Sequence, residues 1–163
     1  MILSDKTIKG KQQTELISTA ILENKTTVQE LLSVAESAKD AAKATCIEAL
    51  EYASKIRPDI ADEAILDFVV ASLHAKAPRI KWESAKVIGN IAAHFPDKLD
   101  EAVNGLLINT EHPGTVVRWS AAFALGEIVQ LKRPRSSELV KALGAISNRE
   151  EKNSIRKIYQ KAL

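Results

Sequence analysis

The chain has 163 residues, with 23 Lys+Arg against 21 Asp+Glu and a net charge of +2. That length suits one domain, the 45% hydrophobic content excludes a disordered chain, and the near-neutral balance excludes a whole-chain polyanion binder. No apolar run approaches the ~18 residues of a membrane span. Residues 1–6 do not read as a signal peptide. One cysteine, Cys46, excludes an internal disulfide framework and suits a reducing compartment, so a cytoplasmic protein is expected.

Alanine is frequent, glycine and proline together number only 11, and aromatics are 4%, a composition that favours helices over sheet. In chain order, residues 1–26 are expected to hold an N-terminal helix or cap, with the helix over about 5–22. A first helix over 27–37 leads to an Ala-rich second helix around 42–53. Then come helix pairs at 61–73 and from Ile80, at 97–109 and from Val117, and at 136–147 and from Ile155. Their apolar residues fall on single stripes at the 3.6 period, as in Val117, Ala121, Ala124, Leu125, Ile128 and Val129. Asp59, Asp97 and Ser136 or Ser137 are the expected N-caps. Pro58, Pro96, Pro113-Gly114 and Pro134 mark the joints.

The chain repeats itself. Pro58-Asp59 falls on Pro96-Asp97 at an offset of 38; Ile80-Lys81-Trp82 and Ile88-Gly89 fall on Val117-Arg118-Trp119 and Leu125-Gly126 at 37; Val117-Arg118 falls on Ile155-Arg156 at 38. The expected organisation is one domain over 1–163, with repeats at 27–58, 59–95 and 96–133 and a truncated C-terminal repeat at 134–163. A helical hairpin cannot bury its stripe alone, and stacking on neighbours makes an all-α, right-handed α-α superhelix. Gly89 and Gly126 share one repeat position, which predicts that two helix backbones approach closely there.

The run Val117-Arg118-Trp119-Ser120-Ala121-Ala122-Phe123-Ala124-Leu125-Gly126-Glu127-Ile128 resembles the second helix of HEAT repeats, with its valine–arginine start, alanines and leucine–glycine. The copy from Ile80 matches with Lys81 in the arginine place, and the copy at 42–53 is degenerate, with Glu51 in the glycine place. The resemblance covers roughly residues 27–163. It implies a HEAT-like, armadillo-type solenoid whose second helices line a concave face, in a family dominated by scaffolds and adaptors. HEAT repeats often place an aspartate about six residues before the arginine; Ala75 and His112 stand there, with Glu150 in the last copy, which puts an internal Asp–Arg ladder in question.

Catalytic chemistry is hard to find. His74, His94 and His112 fall in different repeats without ligand spacing, so neither a metal nor a cofactor is expected. No phosphate loop or nucleophile motif occurs. Cys46 reads as a small core residue, and acidic pairs such as Asp100-Glu101 as helix-dipole partners.

One constellation stands out. Trp119 and Phe123 lie one turn apart on the Val117 helix, off the core stripe, with Trp82 and Lys86 at the same places one repeat earlier. Large apolar groups outside a core mark binding surfaces. The candidate groove therefore comprises Trp82, Lys86, Asn90, Arg118, Trp119, Phe123 and Glu127, with Trp82 expected beside Trp119. Residues 131–163 hold nine basic residues against three acidic ones, giving a candidate basic surface of Arg133, Arg135, Arg149, Lys152, Arg156 and Lys157. The leading functional expectation is a non-catalytic scaffold that takes a protein partner on its concave face. The alternative is a nucleic-acid binder, a use found among HEAT-like solenoids such as the glycosylases that repair alkylated DNA. HEAT-like proteins also include bilin-attaching lyases, but nothing in the sequence supplies a nucleophile or base for an enzyme.

Overall fold

The computed structural model describes residues 7–163, so the first two residues of the expected N-terminal helix, 5 and 6, lie outside the described residues. Among the described residues there are nine α-helices: α1 (Gly10–Leu22), α2 (Val28–Ser37), α3 (Asp40–Ile56), α4 (Glu63–Ser72), α5 (Pro78–Ile91), α6 (Asp100–Asn109), α7 (Thr115–Val129), α8 (Ser136–Arg149) and α9 (Asn153–Ala162). No strand occurs among the described residues. The hairpins α2–α3, α4–α5, α6–α7 and α8–α9 each close on themselves, and the odd-numbered helices α1, α3, α5, α7 and α9 pack side by side as one continuous row. The even-numbered helices form a sparser outer layer. The result is an all-α, right-handed α-α superhelix.

Local chemistry sets the joints. Thr27 and Glu30 form a reciprocal capping box that starts α2. Asn24 takes the left-handed conformation after α1, with the Lys25 N–H on Ala20 O and the Asn24 N–H on Ile21 O, a Schellman closure. Pro78 opens α5 at a first-turn position where its missing N–H costs nothing. The expected caps are displaced. Pro58 begins a short 3₁₀ turn over Pro58–Ile60 that takes up Asp59, so Asp62 caps α4, its carboxylate accepting the Ile65 N–H at 2.9 Å. Asp97 precedes α6 by three residues and Leu99 holds the cap position; Ser136 and Ser137 lie within the first turn of α8, after Arg135. In α6 the first-turn carboxylates Asp100 and Glu101 take over the favourable interaction with the positive helix end.

The core runs unbroken from Ile17 to Tyr159 between the two layers, through Ile47, Leu50, Ile65, Ile88, Leu106 and Leu125. Cys46 is part of it; burial pushes its thiol up to about 11, so it packs as an inert small residue. At the shared glycine position the space is taken by side chains of the next repeat rather than by an approaching backbone, in two different ways. A Cβ on Gly89 would stand 2.4 Å from Cε2 of Phe123, so α5 accepts a ring from α7; a Cβ on Gly126 would meet the Ala162 methyl of α9 at 3.2 Å. One repeat earlier Glu51 holds that position, and Lys86, the counterpart of Phe123, approaches its carboxylate at 3.9 Å. The same inter-repeat contact is an ion pair in one step and a glycine–aromatic contact in the next.

Candidate functional site

Three helices of the inner row frame a groove of about 440 Å³. Glu51, Tyr52, Lys55 and Ile56 line it from α3, Lys86 and Asn90 from α5, and Trp119 and Phe123 from α7. Because α5 packs between α3 and α7, its polar residues form the floor and the apolar pairs of α3 and α7 form two walls. The lining residues form pairs four apart, Glu51/Lys55 and Tyr52/Ile56 on α3, Lys86/Asn90 on α5 and Trp119/Phe123 on α7, and the two members of each pair point the same way.

The walls are large apolar groups left in water. Trp119 is 38% exposed, Tyr52 44% and Ile56 67%. Trp119 stacks on Phe123 at 5.9 Å between ring centroids and 8° between planes. Gly89 seats Phe123 from below, so one face of the indole rests on a supported ring while its edge stays accessible. The floor is held rigidly. Asn90 donates its amide to the Glu51 carbonyl at 3.1 Å and to Ser54 Oγ at 3.2 Å. Lys86 lies 3.5 Å from Glu83 and 3.9 Å from Glu51.

Beneath the floor sits Glu83, only 4% exposed. Its Oε1 accepts the Trp82 indole N–H at 2.9 Å, while Oε2 has no hydrogen-bond partner. Burial pushes its carboxyl above the ordinary glutamate range; Lys86 pulls it down, and the neighbouring Glu48 adds to the rise. A raised folded-state pKa means stability present at low pH and lost as pH rises through the folded value. Glu83→Gln is therefore expected to unfold at higher denaturant than the wild type at pH 7 and to match it below about pH 4; urea titrations at the two pH values check this, and a less stable glutamine variant at pH 7 would contradict the assignment.

The expected site residues are thus only partly brought together. Lys86, Asn90, Trp119 and Phe123 converge. Trp82 does not reach the groove lining: it is half-buried and turned to Glu83, so no Trp82–Trp119 ladder lines it. Glu127 is exposed but outside the lining. Arg118 points to the far edge of α7, where Nε and Nη2 donate to the two oxygens of Glu150 at 3.0 and 3.3 Å and Nη1 donates to the carbonyls of His112 and Pro113. This bridge between repeats occupies the ladder role through Glu150. Burial opposes ionisation of Glu150, but hydrogen bonds from Arg118 and the Lys152 N–H outweigh it and hold the carboxyl below its usual range. Lys81 makes a neutral version one repeat earlier, donating to Leu73 O and Asn109 Oδ1.

Tyr52, Ile56, Glu51 and Lys55 are groove residues that the repeat alignment misses, because their repeat is the degenerate one. The signal is present all the same: Tyr52 and Ile56 are an apolar i, i+4 pair lying off the Ala49–Leu50–Ala53 stripe. The basic surface is partly neutralised. Arg133 donates to Asp100 at 2.6 Å and Arg149 pairs with Glu111, whereas Arg135, Lys152 and Lys157 are exposed. Arg156 is half-buried. No three His, Cys, Asp or Glu side chains among the described residues stand close enough together to hold a metal ion. No helix among them is long and apolar enough to cross a membrane.

No family model and no curated relative matches the chain. Solved structures do. The complex of CpcE and CpcF of phycocyanin lyase from Nostoc sp. PCC7120 contains a chain that is 20% identical, with a TM-score of 0.75 over 99% of this chain and 95% of that one. A designed armadillo repeat protein in complex with the peptide (KR)4 is 17% identical, with a TM-score of 0.73 over 91% of this chain and 67% of that one. A second designed armadillo repeat protein is 15% identical, with a TM-score of 0.73 over 99% and 78%. These likenesses define the class of fold, a helical-repeat solenoid. The solenoid is of the HEAT/armadillo type.

Proposed function

We propose that this protein is a non-catalytic binding module that docks a segment of a partner protein in the groove between α3 and α7. The observation that carries the reading is the pair of uncovered apolar walls, Tyr52/Ile56 and Trp119/Phe123, held open on a rigid polar floor. A preorganised groove of exposed aromatics lowers the ordering cost of binding. Solved structures of like fold include one in complex with a peptide and one in complex with a second subunit, which supports a protein partner. A scaffold or adaptor role and a cytoplasmic location fit the same reading. Nucleic-acid binding is favoured less, because Arg133 and Arg149 of the basic surface already face carboxylates.

The test is affinity capture from the source organism. Tyr52→Ser/Trp119→Ser is expected to lose a partner that the wild type and the outer-surface control Ile108→Ser retain; Ile108 is 62% exposed on α6. Retention of every partner by the groove variant would remove the proposal. Trp119→Ala should itself cost only about 1 kcal/mol of stability, the worth of an aromatic pair, as measured by denaturant unfolding. A cost above about 3 kcal/mol, typical of core truncation, would show the indole to be structural.

A further inference from the structure

Under the groove floor the charges do not balance. Glu48 and Glu51 of α3 cluster with Glu83 of α5 and with two cations of α5, Arg79 and Lys86. Arg79 is taken by Glu48. Lys86 is left to serve two carboxylates, Glu83 at 3.5 Å and Glu51 at 3.9 Å. Three carboxylates thus share two cations, and one negative charge is in excess. The neighbouring elements do not supply the missing counterion. On α3, Lys43 and Lys55 pair with none of the three carboxylates, and Lys81 of α5 is turned to Leu73 and Asn109. The outer helix α4 carries Glu63, paired with Lys98, and Asp67; α6 carries Asp100, paired with Arg133, and Glu101. On α7, Arg118 is held by Glu150, and Glu127 stands level with Asn90 in the repeat register, two turns beyond Glu83. Of the short turns that touch α5, one holds Asp59, beside Arg57, and the other His94, which is exposed.

Water makes the excess tolerable in the open groove, because Lys86 and Glu48 are only half-buried. A partner seated between Tyr52/Ile56 and Trp119/Phe123 covers Lys86 and excludes that water. Desolvation then raises the cost of every charge in the cluster, and most of all that of the unbalanced one. Resting on the docking reading above, we propose that docking in this groove takes up one proton and that Glu83 is the group that holds it. Glu83 is the most buried of the three carboxylates. Its Oε2 accepts no hydrogen bond, so a proton there displaces no donor, and Oε1 keeps the Trp82 indole N–H. Protonation leaves two balanced pairs, Arg79 with Glu48 and Lys86 with Glu51. Burial already holds the Glu83 carboxyl above the ordinary glutamate range while the groove is open. A group that gains a proton on docking makes docking tighter as the pH falls, and a bound partner in turn makes the group harder to ionise. The groove thereby reads pH through a residue that does not line it.

The test covers the groove with an uncharged group and follows Glu83 by NMR in the full chain. The chain has two tryptophans, so the Trp82 indole N–H, which sits on Glu83, is one of two signals and Trp119→Ser assigns it. Cys46 is fully buried, so a single added surface thiol takes the label. Tyr52→Cys and Ile56→Cys, separately alkylated with N-phenylmaleimide, put an aryl group in the groove; Ile108→Cys carries the same label on the outer surface. At least one groove label should raise the midpoint of the Trp82 signal by about one pH unit, which corresponds to about tenfold tighter docking on the acid side. The outer label should leave the midpoint in place. Glu83→Gln should abolish the titration, and Glu51→Gln should lower the midpoint in the open groove, since Lys86 then serves Glu83 alone. A midpoint that neither groove label raises, a titration that survives Glu83→Gln, or a midpoint that Glu51→Gln leaves unchanged would overturn the proposal. Docking itself is judged separately, by capture with the Tyr52/Trp119 face: capture without a midpoint shift removes only the proton linkage, whereas a shift without capture removes the docking reading.

Discussion

Replacing Arg118 with alanine is expected to destabilise the protein by about 3 kcal/mol, read as a lower urea midpoint with unchanged slope. Arg118 and Glu150 join α7 to the segment leading into α9, and the Glu150 side chain is only 5% exposed. Removing the guanidinium strands a buried carboxylate and frees the carbonyls of His112 and Pro113. The cost should fall toward the lower end of that for a broken buried pair, because Arg118 keeps 17% of its side chain in water. The pH dependence has a definite sign. Glu150 titrates below its ordinary value of 4.5 when folded, so the pair stabilises above that pH and its contribution is lost as pH falls through the lowered value. The gap between wild type and Arg118→Ala should therefore shrink in acid. Arg118→Ala/Glu150→Ala should recover part of the loss, since no buried charge is left unpaired. A gap that stays constant into acid would refute the assignment.

Gly89→Ala reads the aromatic wall directly. In a helix interior the change alone should gain up to about 1 kcal/mol from backbone entropy. Here the new methyl meets the Phe123 ring at 2.4 Å, and overpacking of that kind costs about 1–3 kcal/mol. We expect net destabilisation of about 1–2 kcal/mol and an altered Trp119 emission, because the indole is stacked on the displaced ring. The sign should invert once the ring is gone: in a Phe123→Ala background, Gly89→Ala should stabilise. A double-mutant cycle by denaturant unfolding checks this. Additive effects would mean that Phe123 does not lean on Gly89.

The opposite chemistry one repeat earlier, Glu51 with Lys86, shows why the fold was easier to read than the site. Helix–helix stacking needs only apolar stripes and a common offset, and both survive in residues such as Ile88-Gly89 and Leu125-Gly126. The groove depends on which exposed position each repeat fills, and those positions vary freely. The i, i+4 logic found Trp119 and Phe123, and the register found Lys86 and Asn90. Trp82 shares a repeat position with Trp119, but the neighbouring Glu83 takes its indole N–H, a local partner that periodicity does not encode. Arg118 was drawn away by Glu150, 32 residues on. Tyr52 and Ile56 were hidden because their repeat departs from the pattern at Glu51. Helix caps failed for a similar reason: Pro58 inserts a 3₁₀ turn that moves the cap from Asp59 to Asp62.

The groove's role as a docking face is tested most directly by site-specific photo-cross-linking in cells. A photoreactive side chain would be placed singly at positions 52, 119, 108 and 140, all of which are solvent-exposed, the first two in the groove and the last two on the outer helices. The same cross-linked partner should appear from positions 52 and 119 and be missing from 108 and 140. Cross-links that arise only from the outer positions, or equally from all four, would contradict it.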